Sequence, residues 1–282
     1  MTSSPFRIQY ASDLHLELYE TLPSFESLLS PVAPFLALAG DVGHPKQLSA
    51  LLQWAAPQWE RIFYVAGNHE YYCNGGTTTT KQTMAERQEA IREIVGHFGN
   101  VRYLEADAPD TMSYYDAPTN TAIIGCTLWS LTGAGAYRHC NDYRRIPNIT
   151  PASLNAVHRA EATALRAAIA TWTARGADIC VITHHMPSFR LIHPAYAGMD
   201  GNDCFASRQD DLFGGPVKLW IYGHTHVTGI TVLGGTQCCV NSRGYADEKP
   251  VGAPYRRDAV ADVGDVGKVV AAVSDDEEVE MY

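Results

Sequence analysis

The chain has 282 residues, of which 46% are hydrophobic and 18% charged, with a net charge of −10. That length suits one large α/β domain or two small ones, and the composition is that of a globular protein with a substantial core. No apolar run reaches 18 residues, which excludes a membrane-spanning helix, and an acidic chain without a basic stripe is a poor nucleic-acid binder. The N-terminus, MTSSPFRIQYASD, has no basic segment followed by an apolar one, so no signal peptide is expected. Seven cysteines without a CxxC pair then read as reduced thiols in a cytoplasm rather than as zinc ligands.

Six short apolar runs read as strands: FRIQYAS (6–12), FLALAGDV (35–42), RIFYVAGN (61–68), TAIIGCTLW (121–129), DICVITHH (178–185) and KLWIYGH (218–224). Helical patterns lie between them, at Lys46 to Trp54, Lys81 to Phe98 and Thr150 to Arg175. Thr150 can cap the last of these, Pro151 suits its first position and Gly176 can end it. Strands alternating with helices argue an α/β fold. Further strands are expected at QCCVNS and GKVVAAV, which makes the sheets partly antiparallel. Residues 74–80 (NGGTTTT) read as a loop. Two longer irregular stretches, 132–148 and 187–211, are candidate lids over a site. The expected domain covers 1–257. Residues 258–282 hold eight acids and one lysine, and read as an acidic tail or edge segment.

The polar residues that follow the strands carry the chemistry. Asp13 and His15 (DLH) follow the first, Asp41 (GD) the second, and Asn68, His69 and Glu70 (GNHE) the third. His184 and His185 (THH) follow DICVIT, and His224 and His226 (GHTH) follow KLWIYG. In open α/β sheets, ligands bind at that carboxyl edge. Carboxylate, imidazole and amide donors without thiolate suit divalent transition metals. There are too many for one ion, and two metals sharing a carboxylate are a recurring device for displacement at phosphorus.

The ordered set DLH, GD, GNHE, THH, GHTH resembles the calcineurin-like metallophosphoesterase superfamily. GCTLW (125–129) and NSRGY (241–245) are similar to further segments of it. The resemblance implies a four-layer sandwich, two mixed β-sheets flanked by α-helices, with a dinuclear site at the strand ends. Carried over by motif, Asp13, His15 and His226 bind one ion and Asn68, His184 and His224 the other, with Asp41 bridging; THH offers two histidines, and the resemblance favours His184 over His185. The ions would be Mn, Fe or Zn, which nitrogen and oxygen donors do not distinguish. His69 would stabilise charge or protonate the leaving oxygen, while hydroxide held by the metals attacks phosphorus. His185 and Arg243 are candidate substrate contacts. The implied substrate is a small phosphomonoester or phosphodiester, with no membrane or nucleic-acid partner. The alternative is a catalytically silent scaffold of the same fold. A metallo-β-lactamase-like hydrolase is excluded because no HxHxDH motif is present.

Overall fold

The computed structural model of the chain describes residues 5–73, 82–133 and 135–263. In chain order its elements are β1 (Phe6–Ala11), β2 (Phe35–Ala39), α1 (Pro45–Ala55), β3 (Arg61–Val65), α2 (Met84–Gly96), β4 (Val101–Tyr103), α3 (Pro109–Met112) and β5 (Ser113–Asp116). There follow β6 (Thr121–Cys126), α4 (Asp142–Arg145), α5 (Pro151–Ala174), β7 (Asp178–Thr183), β8 (Val217–Tyr222), β9 (Val227–Leu233), β10 (Thr236–Asn241), β11 (Val251–Gly252) and β12 (Val260–Val263). All six expected strands and all three expected helices are present. Thr150 caps α5 through the Ser153 N–H, and Thr83 caps α2 in a reciprocal box with Glu86.

The strands form two mixed sheets. The first runs β12-β1-β2-β3-β4, parallel except for β12, which pairs antiparallel with β1. The second runs β11-β9-β10-β8-β7-β6-β5, with a parallel centre and antiparallel partners at β9 and β5. The segment after residue 257 thus begins as an edge strand. Its remainder lies outside the described residues, as do GKVVAAV and the 74–80 loop.

Both faces of the central strands are covered, which explains why they read as continuous apolar runs. In β7, Cys180 and Ile182 pack between the sheets, while Ile179 and Val181 face outward toward α5. In β2, Ala37 and Ala39 point inward, and Leu36 and Leu38 pack under α1. The result is an α/β/β/α sandwich with three apolar layers, and the helices shield the outer two.

The sheets meet at their carboxyl ends. The Ser12 N–H donates to the Asn241 carbonyl at 3.1 Å, and the Asn241 side chain donates to the Tyr10 carbonyl at 2.9 Å. The His184 ring donates to the Ala39 carbonyl at 2.8 Å, tying β7 to β2. Thr127 donates to the Ala66 carbonyl. Six strand ends, those of β1, β2, β3, β6, β7 and β10, are thereby fixed around one spot.

Helix α5 clamps the turn after β6. Leu128 and Trp129 have left-handed φ values of 65° and 25°, and both carbonyls accept from His158 Nδ1. Glu161 accepts the Leu128 N–H, but its Oε2 is buried with no partner among the described residues. Burial pushes the Glu161 carboxyl up to about 8, against the pull of that N–H. The folded state therefore holds a proton that the unfolded chain releases near 4.5, so stability falls as pH rises from about 5 to 8. Glu161→Gln is expected to remove that slope and raise the melting temperature at pH 8 while leaving it unchanged at pH 4. Calorimetry across this range checks it, and an unchanged slope would contradict it.

Candidate functional site

The motif residues are all described, and seven of them converge. Donor atoms of Asp13, His15 and His226 lie within 4.8 Å of one another, as do those of Asp41, His184 and His224. Asn68 Oδ1 is 3.0 Å from His184 Nε2. Asp41 touches both groups, with Oδ2 3.8 Å from His15 Nε2 and Oδ1 3.4 Å from His184 Nε2. His69 joins through its own N–H, which donates to Asp41 Oδ1 at 2.8 Å.

The backbone is strained to bring them there. Asp13, His15, Asp41, His224 and His226 all have positive φ, between 47° and 69°. Such conformations cost non-glycine residues roughly 1–3 kcal/mol each and persist only where surrounding structure imposes them. Cross-links do so here. The His15 N–H donates to the Asp41 carbonyl, the Asp13 N–H to the Gly40 carbonyl, and the His224 N–H to the Asp13 carboxylate. Glycine is obligatory at Gly67, where a Cβ would meet Asp41 Oδ1 at 2.1 Å.

A second ring of polar groups sets how each donor points. Glu17 accepts from His69 Nδ1 at 2.9 Å and from His15 Nδ1 at 3.3 Å. Glu248 accepts from His226 Nδ1 at 2.5 Å. Asp142 Oδ1 accepts from the Asn68 amide at 2.7 Å and from the Tyr72 hydroxyl at 2.6 Å. That leaves Asn68 with its oxygen facing His184. Glu70 accepts the N–H groups of Asp41, Val42 and Gly67, holding the bases of two motifs together. The Tyr245 hydroxyl lies 3.2 Å from His69 Nε2.

This arrangement demands positive charge. With both Nδ1 atoms turned to acids, neutral His15 and His226 would aim bare Nε2 lone pairs at each other across 2.9 Å. Neutral His184, its Nδ1–H on Ala39, would aim Nε2 at an oxygen. Only a proton or a metal ion relieves these contacts, and the pattern of carboxylate behind imidazole is that of metal-ligating histidine. The titration behaviour agrees. Burial opposes charge on His184, yet Asp41 pushes it up to about 10. Burial likewise opposes the Asp41 carboxylate, but His184 and His69 hold it well below the usual range. Glu17 is brought to about 2 against its burial by His15 and His69. His224, by contrast, is pushed down to about 4 by burial and by His184.

Two expected substrate contacts lie elsewhere. His185 backs the site, its ring 4.1 Å from that of His224 and 5.3 Å from Trp129, with both nitrogens buried and unpartnered among the described residues. Arg243 stacks over the Tyr19 ring at 5.3 Å. Neither lines the cleft. Tyr245, two residues on, does. Glu17, Asp142, Tyr245 and Glu248 are groups in contact with the cluster that motif reading passed over. Glu17 had a local signal, two residues after His15, and Tyr245 ends the NSRGY segment.

The cleft over the cluster has a volume of about 330 Å³. The 187–211 stretch supplies much of its apolar wall and the 132–148 stretch adds His139, Cys140, Asn141 and Asp142. Four acids line it and, among the described residues, no lysine or arginine does.

Comparison with known proteins supplies the wider context. A family model described as calcineurin-like phosphoesterase matches residues 6–228. An uncharacterized protein of Acanthamoeba polyphaga mimivirus, L509, is 25% identical over 88% of this chain and 94% of its own. The crystal structure of the phosphopantetheinyl hydrolase PptH from Mycobacterium tuberculosis superposes with a TM-score of 0.64 at 18% identity, covering 86% of this chain and 91% of that one. A candidate 5′-nucleotidase from Staphylococcus aureus, in complex with alpha-ketoglutarate, gives 0.51 at 17% identity, covering 86% and 49%. At these identities the two structures establish a shared fold.

Proposed function

The chain belongs to the calcineurin-like phosphoesterase family and is a metal-dependent phosphoric ester hydrolase; from that premise we propose that it hydrolyses a small phosphomonoester or phosphodiester with two metal ions at the strand-end cluster. The observation that carries this reading is the pair of acceptor-to-acceptor contacts, His15 to His226 and His184 to Asn68, which call for a cation at each. Asp13, His15 and His226 would hold one ion and Asn68, His184 and His224 the other, with Asp41 shared. When bound, the ions supply Lewis acidity and lower the pKa of water into the neutral range. The protein's own part is positional. Glu17 fixes the Nδ1–H of His69, so Nε2 faces the cleft beside Tyr245 and can give a proton to the departing oxygen. Asp142 holds the Asn68 oxygen toward His184.

A small substrate is supported by the net acidic chain and by a cleft that, among the described residues, has no lysine or arginine, since a nucleic-acid backbone needs cationic contacts. No helix among the described residues is long and apolar enough to cross a membrane. A reducing, cytoplasmic setting belongs to the same reading, in keeping with seven cysteines and no CxxC. The Mycobacterium and Staphylococcus proteins lend phosphate-ester chemistry as an analogy, not their substrates.

The test is metal removal. Chelation is expected to abolish hydrolysis of p-nitrophenyl phosphate or its bis ester, and Mn, Fe or Zn to restore it. Metal uptake should release protons, because His184 is held charged at neutral pH without metal. Affinity should accordingly fall as pH drops, which titration calorimetry in buffers of different ionisation enthalpy measures. Full activity in chelator would sink the reading.

A further inference from the structure

We propose that the cleft selects phosphate esters whose leaving group is uncharged and aromatic or apolar, and rejects those carrying a second anionic group. The inference rests on the phosphoesterase reading for its reaction and on the cleft wall for its selectivity.

The cleft has two chemically distinct halves. The inner half is the carboxylate and imidazole cluster. The outer half carries an apolar wall, lined by Met186, Ile192, Tyr196, Met199 and Phe205. Met199 is 55% exposed and Phe205 38% exposed, although both are large and apolar. Exposed apolar groups gathered on one concave wall mark a binding surface rather than scattered surface residues. The Phe205 ring lies 4.9 Å from that of His224, tilted by 34°, so the apolar wall begins at the cluster itself. Whatever is bonded to a phosphate held there meets hydrocarbon and an aromatic face at once.

Charge sharpens the selection. Asp142, Asp200 and Glu248 line the cleft beyond Asp41. Among the described residues no lysine or arginine lines the cleft. Arg145 stacks over the Tyr72 ring at 5.4 Å, Arg208 over Phe189 at 4.9 Å and Arg243 over Tyr19 at 5.3 Å, while Arg144 donates to the Arg138 carbonyl. The outer wall offers two histidines, His139 and His193, and His193 Nδ1 accepts the Ala195 N–H. A second phosphate or a carboxylate on the substrate, held away from the cluster, would lose its hydration beside acids and meet no lysine or arginine. At about 7 Å and an intermediate effective dielectric, one such repulsion corresponds to roughly tenfold in affinity. Nucleoside di- and triphosphates and carboxylated esters are therefore disfavoured, whereas a lone phosphate on a ring or an alkyl chain fits.

Two probes of matched leaving-group acidity test this on the metal-loaded full chain: phenyl phosphate and 3-carboxyphenyl phosphate. The neutral ester is expected to show a kcat/KM at least about tenfold higher. Calorimetry should give the same ratio for binding of phenylphosphonate over 3-carboxyphenylphosphonate. Met199→Lys, at an exposed position, should narrow the gap, and Asp200→Asn should narrow it if the lysine variant does not fold. Phe205→Ala should lower kcat/KM for phenyl phosphate by about tenfold while methyl phosphate is little affected. Equal or better use of the carboxylated probe in both readouts overturns the proposal and leaves the phosphoesterase reading standing. Selective phosphonate binding without hydrolysis supports the proposal and removes that reading instead.

Discussion

Asp41→Asn is expected to lower kcat/KM for an aryl phosphate by at least about 10³-fold, more than loss of a single stabilising donor removes in a typical hydrolase. Among the described residues, Asp41 is the one carboxylate that meets both donor groups, at 3.8 Å from His15 Nε2 and 3.4 Å from His184 Nε2. It also accepts the His69 N–H. Asparagine preserves the shape, which matters because Gly67 presses against this side chain. It removes the negative charge that two cations would share and that raises His184. The variant should keep its fold by circular dichroism and melting temperature, and lose bound metal by elemental analysis. Retention of both metals with more than a tenth of the activity would refute the bridging role.

His69→Gln is expected to lower kcat by about 10²–10³-fold, the range for a positioned proton donor. The size should depend on the leaving group. An alkyl phosphate, whose departing oxygen needs the proton, should lose far more than p-nitrophenyl phosphate, whose phenolate leaves unaided. A uniform loss across leaving groups would mean that His69 stabilises charge without transferring a proton. Glu17→Gln should act in the same direction but more weakly, because glutamine can still accept one ring N–H while its charge no longer supports His69. Burial disfavours a charged His69, and Asp41 together with Glu17 reverses that, keeping it protonated above its ordinary range.

The legibility of this protein in its sequence follows from the range of the interactions. The six central strands were readable because each is buried on both faces, so apolar β-branched and aromatic residues run without interruption. The short β4 and β5 and the half-exposed β9 were not, since three or four residues, or a glycine-bearing strand with one open face, leave little periodic signal. Helix α5 was readable from its cap, its first-turn proline and its terminal glycine, which are local features.

The site divides the same way. The sequence by itself determined the set of candidate donors, because each sits within a few residues of the strand end that carries it, and it determined the family through the order of those motifs. It could not decide between His184 and His185. Adjacent residues at a strand end point to opposite sides, and only the packing of β7 against β2 sends His184 toward Asn68 and Asp41 while His185 turns to Trp129. Tertiary structure likewise decided that Asp142, from the middle of a long irregular stretch, orients Asn68 across 74 positions of chain. It put Tyr245 rather than Arg243 in the cleft, and it set five donor residues in left-handed backbone that no local preference would choose. Contacts of that kind are made between segments far apart in the chain, so their residues carry no mark in the sequence around them.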